Sequence, residues 1–165
     1  VYETSLIHAV NEKKLQKVEM IINHQSFNPN LSQINASIFA SVKVGQFDIF
    51  KKLINYSNVN ILSNSKLSLL KYAVIERRIE IIDYILSNDK FDRELNKVFI
   101  IFCNEIRSYY NSKVSIEILE KLFEYERKNG HQINMNTFLP GINTFFTSIS
   151  SKTSNIEEVV KFLQF

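Results

Sequence analysis

Glycine occurs three times in this chain, proline twice, cysteine once and tryptophan not at all. A β-sandwich or barrel needs many turn residues, so this scarcity of breakers predicts an all-α protein. Three glycines also leave no glycine-rich loop to cradle a phosphate. The lone Cys103 excludes an internal disulfide, which suits a reducing, cytoplasmic location. No apolar run approaches the roughly 20 residues that a membrane-spanning helix requires, and no signal peptide opens the sequence. Charge is nearly balanced, with 20 Lys and Arg against 17 Asp and Glu and a formal net charge of +3. A nucleic-acid binder usually carries a stronger, clustered basic face, so nucleic acid is not the expected partner.

What the sequence does have is a pattern that returns. SLIHAVNEKKLQKVEMII, Ser5 to Ile22, holds two apolar runs separated by a polar patch. Moved forward without gaps, it falls within ASIFASVKVGQFDIFKKLI, Ala36 to Ile54, and then within SLLKYAVIERRIEIIDYIL, Ser68 to Leu86. Six apolar columns align: Leu6, Ile38 and Leu70; Val10, Val42 and Val74; Leu15, Phe47 and Ile79; Val18, Phe50 and Ile82; Ile21, Leu53 and Ile85; Ile22, Ile54 and Leu86. A small residue holds the column Ala9, Ser41 and Ala73, which lets neighbouring helices approach closely. Leu6, Ala9 and Val10 share one helical face, and Leu15, Val18, Ile21 and Ile22 share another. Each copy therefore predicts two short helices folded as a hairpin, with the tight turn at Lys13, Gly45 or Arg77.

Polar, turn-forming tails follow the second helices: SFNPNLSQ, NVNILSNS and NDKFDRELN. Two looser copies come after these. One has a first helix around Leu95–Ile106, the connection SYYNSK and a second helix over Val114–Phe123. The other pairs TFLPGINTFFTSI with NIEEVVKFLQF at the C-terminus. The approximate repeat bounds are 1–32, 33–64, 65–93, 94–131 and 132–165, forming one repeat domain over 1–165. A hairpin this short cannot bury its apolar face alone, whereas stacked copies can.

Nothing in the pattern asks to be catalytic. His8, His24 and His131 lack metal-ligand spacing to one another or to Cys103, which sits in the apolar run VFIIFC. Glu124 with Glu126, and Glu157 with Glu158, read as ordinary helix surface charge. No enzyme activity, cofactor or metal is expected.

The unit resembles the ankyrin repeat over essentially the whole chain. TSLIHAV at Thr4–Val10, GQFDIFKKLI at Gly45–Ile54 and NVNIL at Asn58–Leu62 carry the likeness. Against the family pattern, the Pro slot holds Ser5, Ser37 and Leu69, and the His slot holds Ile7, Phe39 and Lys71, so the hydrogen-bonding motif of the first turn is largely lost. Tetratricopeptide and HEAT-type helical pairs are the competing folds. The resemblance implies a helical-hairpin solenoid with short turn or β-hairpin-like connections, binding another protein through its concave surface. Carried over slot by slot, that surface comprises Asn11, Glu12, Lys43, Val44, Ile75 and Glu76 on the first helices, and Ser32, Gln33, Asn35, Asn64, Ser65 and Leu67 at the hairpin tips.

Two further readings stand beside it. Lys13, Lys14, Arg77, Arg78 and Lys113 fall in inter-helix turns, where stacking would line them along a basic edge for an anionic ligand. Alternatively, the repeats are a spacer or targeting segment of a larger enzyme or effector. The final helix is apolar, with Val159, Val160, Phe162, Leu163 and Phe165, so either its outer face packs back on the array or more repeats follow; the chain is expected to be a monomeric fragment of a longer protein.

Overall fold

The structure, a computed structural model, describes residues 2–28, 30–56, 66–88, 98 and 112–129. The chain falls into two compact units, Val1–Arg93 and Glu94–Phe165. Among the described residues the regular structure is entirely α-helical, with no strand, and no helix there is long and apolar enough to cross a membrane.

In the first unit, α1 (Tyr2–Asn11) pairs with α2 (Leu15–Ile22), α3 (Leu31–Val44) with α4 (Phe47–Tyr56), and α5 (Lys66–Ile75) with α6 (Ile79–Leu86). The first helices pack on one another, α1 on α3 and α3 on α5. The second helices do the same, α2 on α4 and α4 on α6. Three hairpins thus lie side by side in two helical layers.

Each hairpin turns in the same way. Lys13, Gly45 and Arg77 all adopt a left-handed backbone, with φ of 59°, 71° and 57°. The left-handed residue donates its N–H to the carbonyl three residues back, on Val10, Val42 or Val74. The next residue donates to the carbonyl five back, on Ala9, Ser41 or Ala73, and all six bonds measure 2.9–3.2 Å. This pair of bonds closes a helix by satisfying its last carbonyls, the Schellman arrangement. The carbonyls of Lys14, Gln46 and Arg78 then accept the first bonds of the second helices, from Val18, Phe50 and Ile82. The turn expected from the polar patch is therefore present in all three copies.

The aligned columns form the core. Leu6, Ile38 and Leu70, the small Ala9, Ser41 and Ala73, Val10, Val42 and Val74, and Val18, Phe50 and Ile82 are buried in every copy. Burying each large apolar side chain contributes about 1.5–3 kcal/mol. The column Leu15, Phe47 and Ile79 is only half-buried. Ser41 answers its burial by donating its hydroxyl to the Ile38 carbonyl at 2.6 Å.

The first connection departs from the sequence expectation in two ways. Its tail was expected to be polar, yet Phe27 is buried, its ring 5.8 Å from that of Tyr56. Moreover, α3 begins at Leu31 because Asn30 and Gln33 close a capping box. The Asn30 side chain accepts the Gln33 N–H and the Gln33 side chain accepts the Asn30 N–H, both at 2.9 Å. Ser32, Gln33 and Asn35, expected at a hairpin tip, therefore belong to the helix itself. Leu67 likewise lies within α5, its side chain outside the description, and Asn64 and Ser65 lie outside the described residues.

In the second unit, α7 (Ser112–Lys128) extends beyond the expected Val114–Phe123 at both ends. Ser115, Ile118, Leu119 and Leu122 recur at helical spacing and are buried, as is Val98. Lys128 pairs with Glu124 at 2.7 Å one turn back, supporting the extended C-terminal end. Lys113, expected in a turn, is the second residue of α7, and its side chain is not described. Apart from Val98, the helix expected at Leu95–Ile106, with Cys103, lies outside the described residues, as do His131 and the whole fifth copy.

Candidate interaction surface

The first helices run into their left-handed turns through two columns, Asn11, Lys43 and Ile75, then Glu12, Val44 and Glu76. Because α1, α3 and α5 pack in series, these columns are brought together along one edge of the first unit. Asn11 and Lys43 are exposed, while Glu12, Val44, Ile75 and Glu76 are half-buried. The edge thus joins an amide, a cation, two carboxylates and two aliphatic side chains. Ser32 is exposed at the start of α3; Gln33 is occupied in the cap, and the Asn35 side-chain oxygen is enclosed without a hydrogen-bond partner.

Charge on the first hairpin converges on one carboxylate. Glu12 takes Lys17 Nζ at 3.0 Å, with Lys14 Nζ and His8 Nε2 each at 3.5 Å. The hydrogen bond from Lys17 holds the Glu12 carboxyl below its ordinary range, and the same bond raises Lys17. At the third hairpin, the Tyr72 hydroxyl is pushed up, first by burial and then by the Glu76 carboxylate beside it. The Tyr72 ring meets Phe39 edge-on at 5.5 Å.

The basic residues of the inter-helix turns do not form a uniform stripe. Lys13 is exposed, Lys14 faces Glu12, and Gly45 interrupts the series. Arg78 reaches back to the preceding hairpin, where its Nε donates to the Val42 carbonyl at 3.1 Å and its terminal nitrogen donates to the Lys43 carbonyl. It thereby satisfies the exposed carbonyl end of α3, where a cation is also favoured by the helix dipole. Among the described residues no three His, Cys, Asp or Glu side chains gather closely enough to hold a metal.

The aligned columns do not distinguish two sets of residues. Arg78 was grouped with the turn cations, because backbone carbonyls leave no mark in the sequence of their partner. Ile49 and Ile81 are buried, but their column in the first copy holds Lys17, so it did not register as apolar. Two isoleucines opposite one lysine were the available signal.

No family model matches this chain, and neither a curated protein nor a solved structure matches it.

Proposed function

We propose that this chain is an ankyrin-like helical-hairpin array that binds a partner protein through the concave surface formed by its first helices, without catalysis or a cofactor. One contrast carries the reading. Three hairpins share a turn geometry and four fully buried columns, while the adjacent edge columns hold Asn, Lys and Ile, then Glu, Val and Glu. A constant frame with a varied edge suits recognition of a protein surface, where a mixture of polar and apolar contacts sets specificity.

The test compares the chain with a charge-altered variant, Asn11→Ala with Lys43→Glu and Glu76→Lys, after circular dichroism shows equal helicity. Both are used to capture proteins from source lysate, and any protein retained is then purified and its binding measured directly. A protein that binds the unaltered chain and loses at least tenfold in affinity for the variant supports the reading. Equal binding to both moves the site off this edge.

A further inference from the structure

Asn129 is the one asparagine in the sequence that is followed by glycine. It stands directly after Lys128, the last residue of α7, and it is exposed. Its backbone N–H and its side-chain Nδ2 both donate to the Tyr125 carbonyl, at 3.2 Å and 2.7 Å. That carbonyl lies in the last turn of the helix, where acceptors lose their partners within the helix. The Asn129 amide thus fastens the C-terminal end of α7, by the local bond to main chain that asparagine readily makes.

We infer that Asn129 is a site of self-modification by deamidation, and that the reaction unfastens this helix end. The backbone nitrogen that follows Asn129 belongs to Gly130, which has no side chain to shield it, and glycine opens the widest range of backbone angles to a closing ring. This nitrogen attacks Asn129 Cγ. The Cγ–Nδ2 bond breaks, and ammonia leaves with the proton that the peptide nitrogen gives up. Water then opens the five-membered imide at either carbonyl, giving aspartate or the isomer whose main chain runs through the side chain. One water is consumed and one ammonia released, so no oxidant, enzyme or cofactor is needed. Asn11, Asn23 and Asn55 are exposed as well, but the bulkier Glu12, His24 and Tyr56 follow them. The product cannot do what the amide did. A carboxylate has no N–H for the Tyr125 carbonyl, and it places negative charge at the negative end of the helix dipole. Lys128, the neighbouring cation, is already held by Glu124. The inference stands on the second unit and is independent of the protein-binding reading.

Two measurements on the folded chain test it. During incubation at mildly alkaline pH, followed by peptide mass mapping, Asn129 is expected to gain about one dalton at least tenfold faster than Asn11, Asn23 or Asn55. Gly130→Ala is expected to slow that gain at least tenfold. Conversion of Asn129 no faster than the other three, or at the same rate in Gly130→Ala, would overturn the inference. Asn129→Asp installs one of the two products directly. In this variant the backbone amides of Arg127 and Lys128 are expected to exchange at least threefold faster than in the unaltered chain, while those of Leu119 and Leu122 change only with global stability. Unchanged exchange at Arg127 and Lys128 would mean that the amide does not hold the end of α7, and would also overturn it.

Discussion

The guanidinium of Arg78 fills the space that a side chain on Gly45 would need. A Cβ built on Gly45 would stand 2.8 Å from Arg78 Cζ and Nη1, inside van der Waals contact. The two residues belong to consecutive hairpins, so the glycine serves its own turn and also admits the clasp from the next copy. Gly45→Ala is expected to cost about 1–2 kcal/mol from the left-handed backbone, and more from displacement of the guanidinium. In an Arg78→Ala background the steric part disappears. A double-mutant cycle by urea denaturation should therefore return a coupling of roughly 0.5–1 kcal/mol, and strict additivity would contradict the contact.

Arg78→Lys keeps the charge but loses the planar fork that spans two adjacent carbonyls. About 1–2 kcal/mol of stability should be lost, part of the roughly 1.5–3 kcal/mol that a hydrogen bond to a charged group contributes. A lysine variant as stable as the arginine chain would show that charge alone suffices at the end of α3.

Lys13 sits in the backbone region that Gly45 occupies without strain. Lys13→Gly should therefore stabilise, the relief of roughly 1–2 kcal/mol in left-handed strain being partly offset by about 0.5–1 kcal/mol of glycine entropy. The expected outcome is a rise in Tm of a few degrees by calorimetry. This is the reverse of the effect of placing glycine inside a helix.

Asn30→Ala removes half of the capping box at α3. A loss of about 1 kcal/mol is expected, together with faster amide exchange at Gln33, whose N–H loses its acceptor. Exchange at Val42 and Ser41, deep in the same helix, should change only as much as global stability does.

Glu12 has its pKa lowered in the folded chain, so ionised Glu12 contributes stability above the ordinary glutamate range. That contribution is lost as pH falls through the lower folded value. The stability difference between the unaltered chain and Glu12→Gln should be present at neutral pH, shrink on acidification across and below the ordinary glutamate range, and diminish with added salt, because the network is exposed. A difference constant from neutral to strongly acidic pH would exclude the carboxylate as its source.

The helical period, the hairpin and the turn positions were legible in the sequence because each is local and repeated. Val10, Val42 and Val74 align because the same packing demand recurs at the same place. The start of α3 was less visible: the repeat alignment opens at Ala36, while Asn30 and Gln33 draw the helix five residues further back. Phe27 was hidden among turn-forming neighbours. The contact of Arg78 with Val42 was beyond reach, since it depends on a side chain meeting main-chain oxygens one hairpin away. At the edge columns the sequence supplied the residues but not their exposure. Val44 and Ile75, which the resemblance places on the concave surface, are half-buried.

The links between hairpins also bear on how the chain finds its fold. Lys52 with Glu19, Tyr72 with Phe39, Tyr84 with Phe50 and Arg78 with Val42 all join residues little more than one hairpin apart in sequence. Each closes a loop of similar, moderate length, so no single step carries a large entropic penalty, and topologies dominated by such near-neighbour contacts fold quickly. During synthesis, the second hairpin can lock onto the first as soon as it emerges, and the third onto the second.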